Sequence, residues 1–396
     1  MMASSDPTRP AGSRHARRTQ GLTTTIFAEM SELAQRTGSI NLGQGFPDTD
    51  GPDVVIDAVV DALHSGHNQY APGPGVPALR EAIAEHQQLH YGLPVDPERE
   101  VVVTTGATEG VAAALLGLVN PGDEVVALEP YYDSYAAGIQ LAGGVRRPVT
   151  LRAPHFRLDV EALQAAVTER TRVLLLNTPH NPTGTVLTRT ELEALAAVAV
   201  AHDLVVVTDE VYEHLTYDER PHVPIATLPG MAERTLTVSS AGKTFSFTGW
   251  KVGWATGPAH LVDAVRTVKQ FLTFTSGAPL QPAVAVALRL PPQVLIDLRR
   301  DLQRKRDLLV DGLSALGLTA YRPEGTYFAT TDVRPLGYDD GLAFCRDLPH
   351  RAGVVAVPHQ VFYDDVEAGR PFVRWAFCKR EAVLTEGLDR LTEAFS

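Results

Sequence analysis

The chain has 396 residues, of which 44% are apolar and 21% charged, and carries a net charge of -12. Those are globular proportions, so a disordered or fibrous chain is excluded, and the acidic balance argues against a nucleic-acid surface. No run approaches the ~18 apolar residues of a membrane span, and two cysteines, Cys345 and Cys378, without CxxC spacing exclude a disulfide scaffold and suit a reducing cytoplasm.

Residues 1–20 are basic and rich in Ser, Pro and Gly, which predicts a disordered tail; they contain no apolar stretch of the kind a secretory signal requires, although an organelle transit peptide shares their composition. Residues 21–48 are expected to join a small domain formed mainly by residues 291–396, with residues 49–290 as the large domain. From Val101 the sequence alternates short β-branched runs with helical patterns: VVVTT, TEGVAAALLGLV, EVVALEP, RVLLLN, ELEALAAVAVAH, LVVVTDE and TLTVSS. This predicts an α/β fold whose mostly parallel sheet is covered by helices on both faces. Thr188 and Glu191 form a capping box before ELEALAAVAV, and NPGDE closes the helix before it. After Leu290 a long charged helix, DLRRDLQRKRDLLVDGLSAL, precedes short strands around YFATTDV, VVAVP and FVRWAFC, the pattern of an α+β domain.

In parallel sheets ligands bind beyond the carboxyl ends of the strands. Polar clusters stand at those ends: TTGATEG, NTPHNPTG, TDEVY and SSAGK. Gly106, Ala107 and Thr108 open a helix and offer N–H groups to an anion such as phosphate, with Ser240 and Lys251 as further donors. Asp209 ends an apolar strand, where a carboxylate is costly unless it meets a cation; a protonated pyridine nitrogen is one. Tyr212 and Asn181 can donate to a ring oxygen, and Tyr132 can stack on a flat ring. Lys243, among small residues, can capture an aldehyde. AGKT is not a phosphate-binding P-loop, because Thr237 stands where that motif needs glycine. Each residue also has a plainer reading: a turn at Ser240, a helix cap at Asp209, a core tyrosine at Tyr212, a surface ion pair at Arg374. No metal site is expected.

Six motifs in order, NLGQGFPD, NQYAPGPG, NTPHNPTG, TDEVYE, SSAGKTFSFTGWKVGW and FVRWAFCKR, resemble those of the class I, fold type I, pyridoxal-phosphate aminotransferases. The resemblance is to the kynurenine/glutamine transaminase branch, and within it to bacterial N-succinyldiaminopimelate aminotransferases. It implies pyridoxal 5'-phosphate as cofactor, a seven-stranded large-domain sheet, and a homodimer with shared active sites. Lys243 then binds the cofactor covalently, Asp209 holds its ring nitrogen, and Asn181 and Tyr212 hold its 3-oxygen. Ala107, Thr108, Ser240 and Lys251 hold the phosphate, joined by Tyr70 from the neighbouring subunit. Arg374, Gly45 and Asn181 grip the substrate carboxylate, while Phe27, Phe274 and Thr275 fall in the substrate pocket. Thr108 and Thr275 stand where many eukaryotic members carry an aromatic residue and a histidine, which argues against a kynurenine pocket.

The implied reaction is a ping-pong transfer of an amino group from an amino acid to a 2-oxo acid such as 2-oxoglutarate. The succinylated donor of lysine biosynthesis competes with glutamine, methionine or aromatic donors, and a β-lyase activity would use the same carbanion. A regulator that binds the cofactor without turnover would need a DNA-binding module, and none is expected within the first 20 residues.

Overall fold

The structure, a computed structural model, describes residues 15–22 and 25–396. Of the expected tail, residues 1–14 lie outside the described residues, and Arg17–Thr19 makes a single 3-10 turn.

The described strands are β1 (Ile40–Asn41), β2 (Val101–Thr105), β3 (Glu124–Glu129), β4 (Val145–Thr150), β5 (Thr171–Asn177), β6 (Val205–Asp209), β7 (Thr235–Ser240), β8 (Val252–Thr256), β9 (Thr319–Tyr321), β10 (Phe328–Asp332), β11 (Val354–Val355), β12 (Val357–Pro358) and β13 (Phe372–Ala376). Seven of them form one sheet in the order β2-β8-β7-β6-β5-β3-β4. Strand β8 is antiparallel to both β2 and β7, and the other pairings are parallel, so six strands run one way. Their carboxyl ends share one edge of the sheet, and Lys251, just before the reversed β8, arrives at that edge too.

Alternation along the strands buries both faces. Val173 and Leu175 pack with Leu115, Ile139 and Val262 on one side, whereas Leu174 and Leu176 pack with Leu192, Leu195 and Val206 on the other. Each such fully buried aliphatic side chain contributes on the order of 2 kcal/mol. The capping box at Thr188 and Glu191 is formed, with both reciprocal bonds present, and the helix Gly106–Leu118 stops just before NPGDE. Strand β4, VRRPVT, was not among the predicted elements. It is the outermost strand, its residues are mostly half-exposed or exposed, and an edge tolerates the charges and the proline that disguise it.

The last hundred residues build a four-stranded antiparallel sheet, β12-β13-β10-β9, behind the helix Pro292–Ala315. The N-terminal segment returns to this part of the molecule. Strand β1 pairs in parallel with β11, Ile40 opposite Val354, and Met30, Leu33 and Leu42 share a core cluster with Leu309, Phe344 and Trp375.

Candidate active site

A cavity of about 610 Å³ opens at the carboxyl edge of the large sheet, where the four-stranded sheet leans against it. The cavity is lined by the ends of four strands. After β2 come Gly106, Ala107 and Thr108; β5 and its loop bring Asn177 and Asn181; β6 and its loop bring Asp209 and Tyr212; β7 brings Ser240 and Lys243. Tyr132, Lys251, Phe27, Gly45 and Arg374 complete the set. Thirteen of the sixteen residues expected from the sequence therefore line one space.

Asp209 sits beside Asn177 in the sheet register and is buried. Its Oδ2 accepts the Tyr135 hydroxyl at 2.7 Å and its Oδ1 the Val211 N–H at 3.2 Å, while the Asn177 amide donates to its carbonyl at 2.9 Å. Burial raises its pKa, against the lowering effect of these donors and of Lys243. Lys243, in the short helix Ala241–Thr244, lies 5.8 Å from the centre of the Tyr327 ring. Burial pulls its pKa below the usual lysine range, and the charges of Lys251 and Arg374 add to that against Cys378 and Asp209.

Gly106 adopts φ +71°, a conformation that favours glycine, and a Cβ there would stand 3.2 Å from Lys251 Nζ. Across from it a Cβ on Gly253 would meet Gly106 backbone at 2.6 Å. The bare backbone thus leaves a small cradle at the helix N-terminus, with an ammonium beside it and the Ser240 side chain on its rim.

Arg374 is placed differently. It sits in the middle of β13, opposite Thr330 on β10 and Val357 on β12, and is 1% exposed. Its Nη1 donates to Asn181 Oδ1 at 3.0 Å and its Nη2 to the Gly43 carbonyl at 2.9 Å. Its guanidinium lies 3.9 Å from the Phe328 ring centre, 5.0 Å from Phe27 and 5.2 Å from Phe362. Burial lowers its pKa to about 10, so it is charged at neutral pH. At Gly45 a Cβ would lie 2.4 Å from Phe328, so only glycine fits there; its carbonyl accepts the Tyr327 hydroxyl at 2.6 Å.

Tyr70, Phe274 and Thr275 are not among the lining residues of this cavity. Tyr70 is 84% exposed and meets Phe274 edge-on, ring centres 5.5 Å apart. Conversely, sequence reasoning missed Tyr135, Asn177 and Phe328, all of which line it. Asn177 lay within a quoted motif as the last residue of β5, and its strand-end position was the available signal. Tyr135 reaches Asp209 from the helix Asp133–Ala142, 74 residues away in the chain, and no local pattern marks it.

The sequence pattern of the class I and II aminotransferases matches residues 37–391. The probable N-succinyldiaminopimelate aminotransferase of Mycobacterium tuberculosis is 52% identical over 379 residues, spanning 93% of this chain and 96% of that protein. Methionine aminotransferase of Escherichia coli K12 is 42% identical over 376 residues, spanning 94% of this chain and 96% of its own. The solved structure of N-succinyldiaminopimelate aminotransferase from Mycobacterium tuberculosis superposes with a TM-score of 0.94 over 96% of this chain and 100% of that one.

Proposed function

The chain belongs to the class I and II aminotransferases, and we propose that it moves the amino group of N-succinyl-LL-2,6-diaminopimelate to 2-oxoglutarate with pyridoxal 5'-phosphate as cofactor. The observation that carries the choice of donor is the 52% identity over nearly the whole chain to a relative named for that substrate.

The residues present fit the cofactor. Gly106 opens the helix Gly106–Leu118 with no side chain between its backbone and Lys251 Nζ, which suits a phosphate, and Asp209 is a buried carboxylate whose charge a pyridinium would match. Bound there, pyridoxal phosphate supplies an aldehyde that captures the amino group and a protonated ring that stores the electron pair left on the α-carbon. The protein does the rest. Lys243, neutral more readily than an exposed lysine, would serve as the base that takes the proton from the substrate α-carbon. Asp209 keeps the proton on the pyridine nitrogen, and Tyr135 holds that carboxylate in place. Tyr132 covers the ring. Tyr212 and the Nδ2 of Asn181 donate to the ring oxygen, since Asn181 Oδ1 is engaged by Arg374. Ala107, Thr108, Ser240 and Lys251 take the phosphate.

Arg374 holds the α-carboxylate of either substrate through a charge-assisted pair, aided by Asn181 and the Gly45 backbone. Two half-reactions sharing one carboxylate site give ping-pong kinetics. The same reading makes the enzyme a cytoplasmic homodimer in which Tyr70, Phe274 and Thr275 complete the neighbouring copy's site. It divides the chain near residue 290, with residues 21–48 returning to the second domain. Among the described residues no helix is long and apolar enough to cross a membrane.

A second reading has its own observation. The cations lining the cavity are Lys243, Lys251 and Arg374, each with a role above, and the wall carries three phenylalanines, Phe27, Phe46 and Phe328, with Thr25, Gln44 and Asp133 among its polar residues. That wall favours glutamine, methionine or aromatic donors, with β-elimination as a side reaction. Rates with the succinylated donor and 2-oxoglutarate should exceed those with glutamine, methionine and phenylalanine. If the succinylated compound is not used, the second reading replaces the first.

A further inference from the structure

The loop after β6 serves two spaces. Asp209 and Tyr212 line the large cavity, whereas Glu213 and His214 line a separate one of about 360 Å³, together with His90, Tyr91, Arg220 and His222. Two of its lining imidazoles, His90 and His214, meet a third, His86, which is buried. His86 and His90 are four residues apart on the helix Pro77–Tyr91 and so share a face. Their ring centres are 4.5 Å apart, and each lies 4.9 Å from that of His214. The Nε2 atoms of His86 and His214 are 2.7 Å apart, and one nitrogen from each of the three rings lies within 4.8 Å of the others.

We propose that His86, His90 and His214 bind one divalent transition-metal ion of the zinc class, with the fourth position open to the second cavity. Imidazole nitrogen suits zinc, copper and nickel and not the oxygen-seeking magnesium or calcium. Tetrahedral zinc holds nitrogens at ~2.0–2.1 Å, which sets neighbouring ligand atoms about 3.3 Å apart, so the closest pair, at 2.7 Å, has to open by about 0.6 Å while the wider pairs, within 4.8 Å, close.

A plain packing role explains the cluster less well. Two facing ring nitrogens share a single proton, and the third histidine adds no bond to that pair. Balancing charge stands close by. Buried Glu213 accepts the Tyr91 hydroxyl and the Ser239 hydroxyl, both at 2.6 Å, and Glu210 faces His222 at 2.7 Å. An ion here would tie the helix Pro77–Tyr91 to a position two residues from Tyr212 and five from Asp209, and so stiffen the loop that carries both.

Untagged holoenzyme, treated with chelator and dialysed against zinc, should hold one zinc per chain by elemental analysis. Cobalt in its place should give the visible bands of a tetrahedral, nitrogen-ligated ion. Zinc affinity, measured by competition with a chromophoric chelator, should fall at least about tenfold in His90→Ala and in His214→Gln. A zinc-dependent rise in Tm should be lost in both. His90 is only half-buried, so His90→Ala decides the matter if His214→Gln misfolds, with far-UV circular dichroism as the check. Absence of stoichiometric zinc in the untagged protein overturns the proposal, as does an undiminished affinity in folded His90→Ala.

Discussion

The two ends of the large cavity bury opposite charges by different means. Asp209 stands at the end of a parallel strand, where the sheet's own geometry delivers it to the edge, and hydrogen-bond donors from Tyr135 and Val211 hold it. Arg374 stands mid-strand in an antiparallel sheet, held by an amide oxygen, a carbonyl and the faces of aromatic rings. Neutral groups hold each of them, so each end is poised for a ligand of the opposite sign: a cation at Asp209, an anion at Arg374. Lys243 lines the cavity with both. A ligand that is cationic at one end and carboxylated at the other satisfies both ends at once, which is the arrangement the proposed chemistry requires.

The severest way to break this comparison is to remove the group they share. Lys243→Ala should lower kcat by ~10⁴-fold or more, since the proposed covalent capture and proton transfer would be lost together, while Tm stays near that of the parent. Near-native turnover without added amines would leave Lys243 a spectator. The next largest effect belongs to the acidic end. Asp209→Ala should reduce kcat by about 10²-fold or more with little change in donor KM, because in the proposed reaction the carboxylate acts on the electron sink and does not touch the donor. A loss in KM as large as that in kcat would make Asp209 a binding residue instead.

The contrast also explains what the sequence could say. The strand-end clusters TTGAT, NTPHN, TDEVY and SSAGK were readable because an apolar β-branched run that stops at a polar turn marks the sheet edge without any tertiary knowledge. Arg374 was found through a resemblance of motifs, since an arginine inside FVRWAF has no local reason to be buried. Tyr135 and the histidine trio depend on chain crossings of 74 and 128 residues, and spacing carries no trace of them. Tyr70, Phe274 and Thr275 were expected at the site yet lie outside the cavity lining of one chain. A contribution across a subunit boundary would account for that, and sedimentation of active enzyme as a dimer checks it.

The anionic end can be sharpened by chemistry and by pH. Arg374→Lys should raise KM for every donor by a similar factor, about 10- to 100-fold, because an ammonium cannot reproduce the planar pair with a carboxylate. A changed ranking of donors would place Arg374 in discrimination. The sign of the pH effect follows from burial, which lowers the Arg374 pKa to about 10. The side chain is charged below that value, so affinity for an unreactive carboxylate should be steady at lower pH. It should weaken as pH rises through the pKa, by up to about tenfold per unit. Affinity that stays flat through that range, while far-UV circular dichroism is unchanged, would show another group holding the carboxylate.

The smallest predicted effect tests whether the acidic end is as tightly held as the geometry says. Tyr135→Phe removes the hydroxyl that donates to Asp209 Oδ2 and leaves only the Val211 N–H on the carboxylate. A hydrogen bond to a charged group is worth about 1.5–3 kcal/mol, so the ionised form of Asp209 loses support, and a pKa already raised by burial rises further. A carboxylate that protonates more easily stops holding the ring proton at a higher pH, so the acid limb of the kcat profile should move toward neutral. At the pH optimum kcat should fall only several-fold, well short of the Asp209→Ala loss, because the carboxylate itself remains. KM for the donor should not change, since Arg374 and the wall around it are untouched. An unmoved acid limb with an unchanged kcat would reduce Tyr135 to a packing residue, and the two ends of the cavity would then differ less than their hydrogen bonds imply.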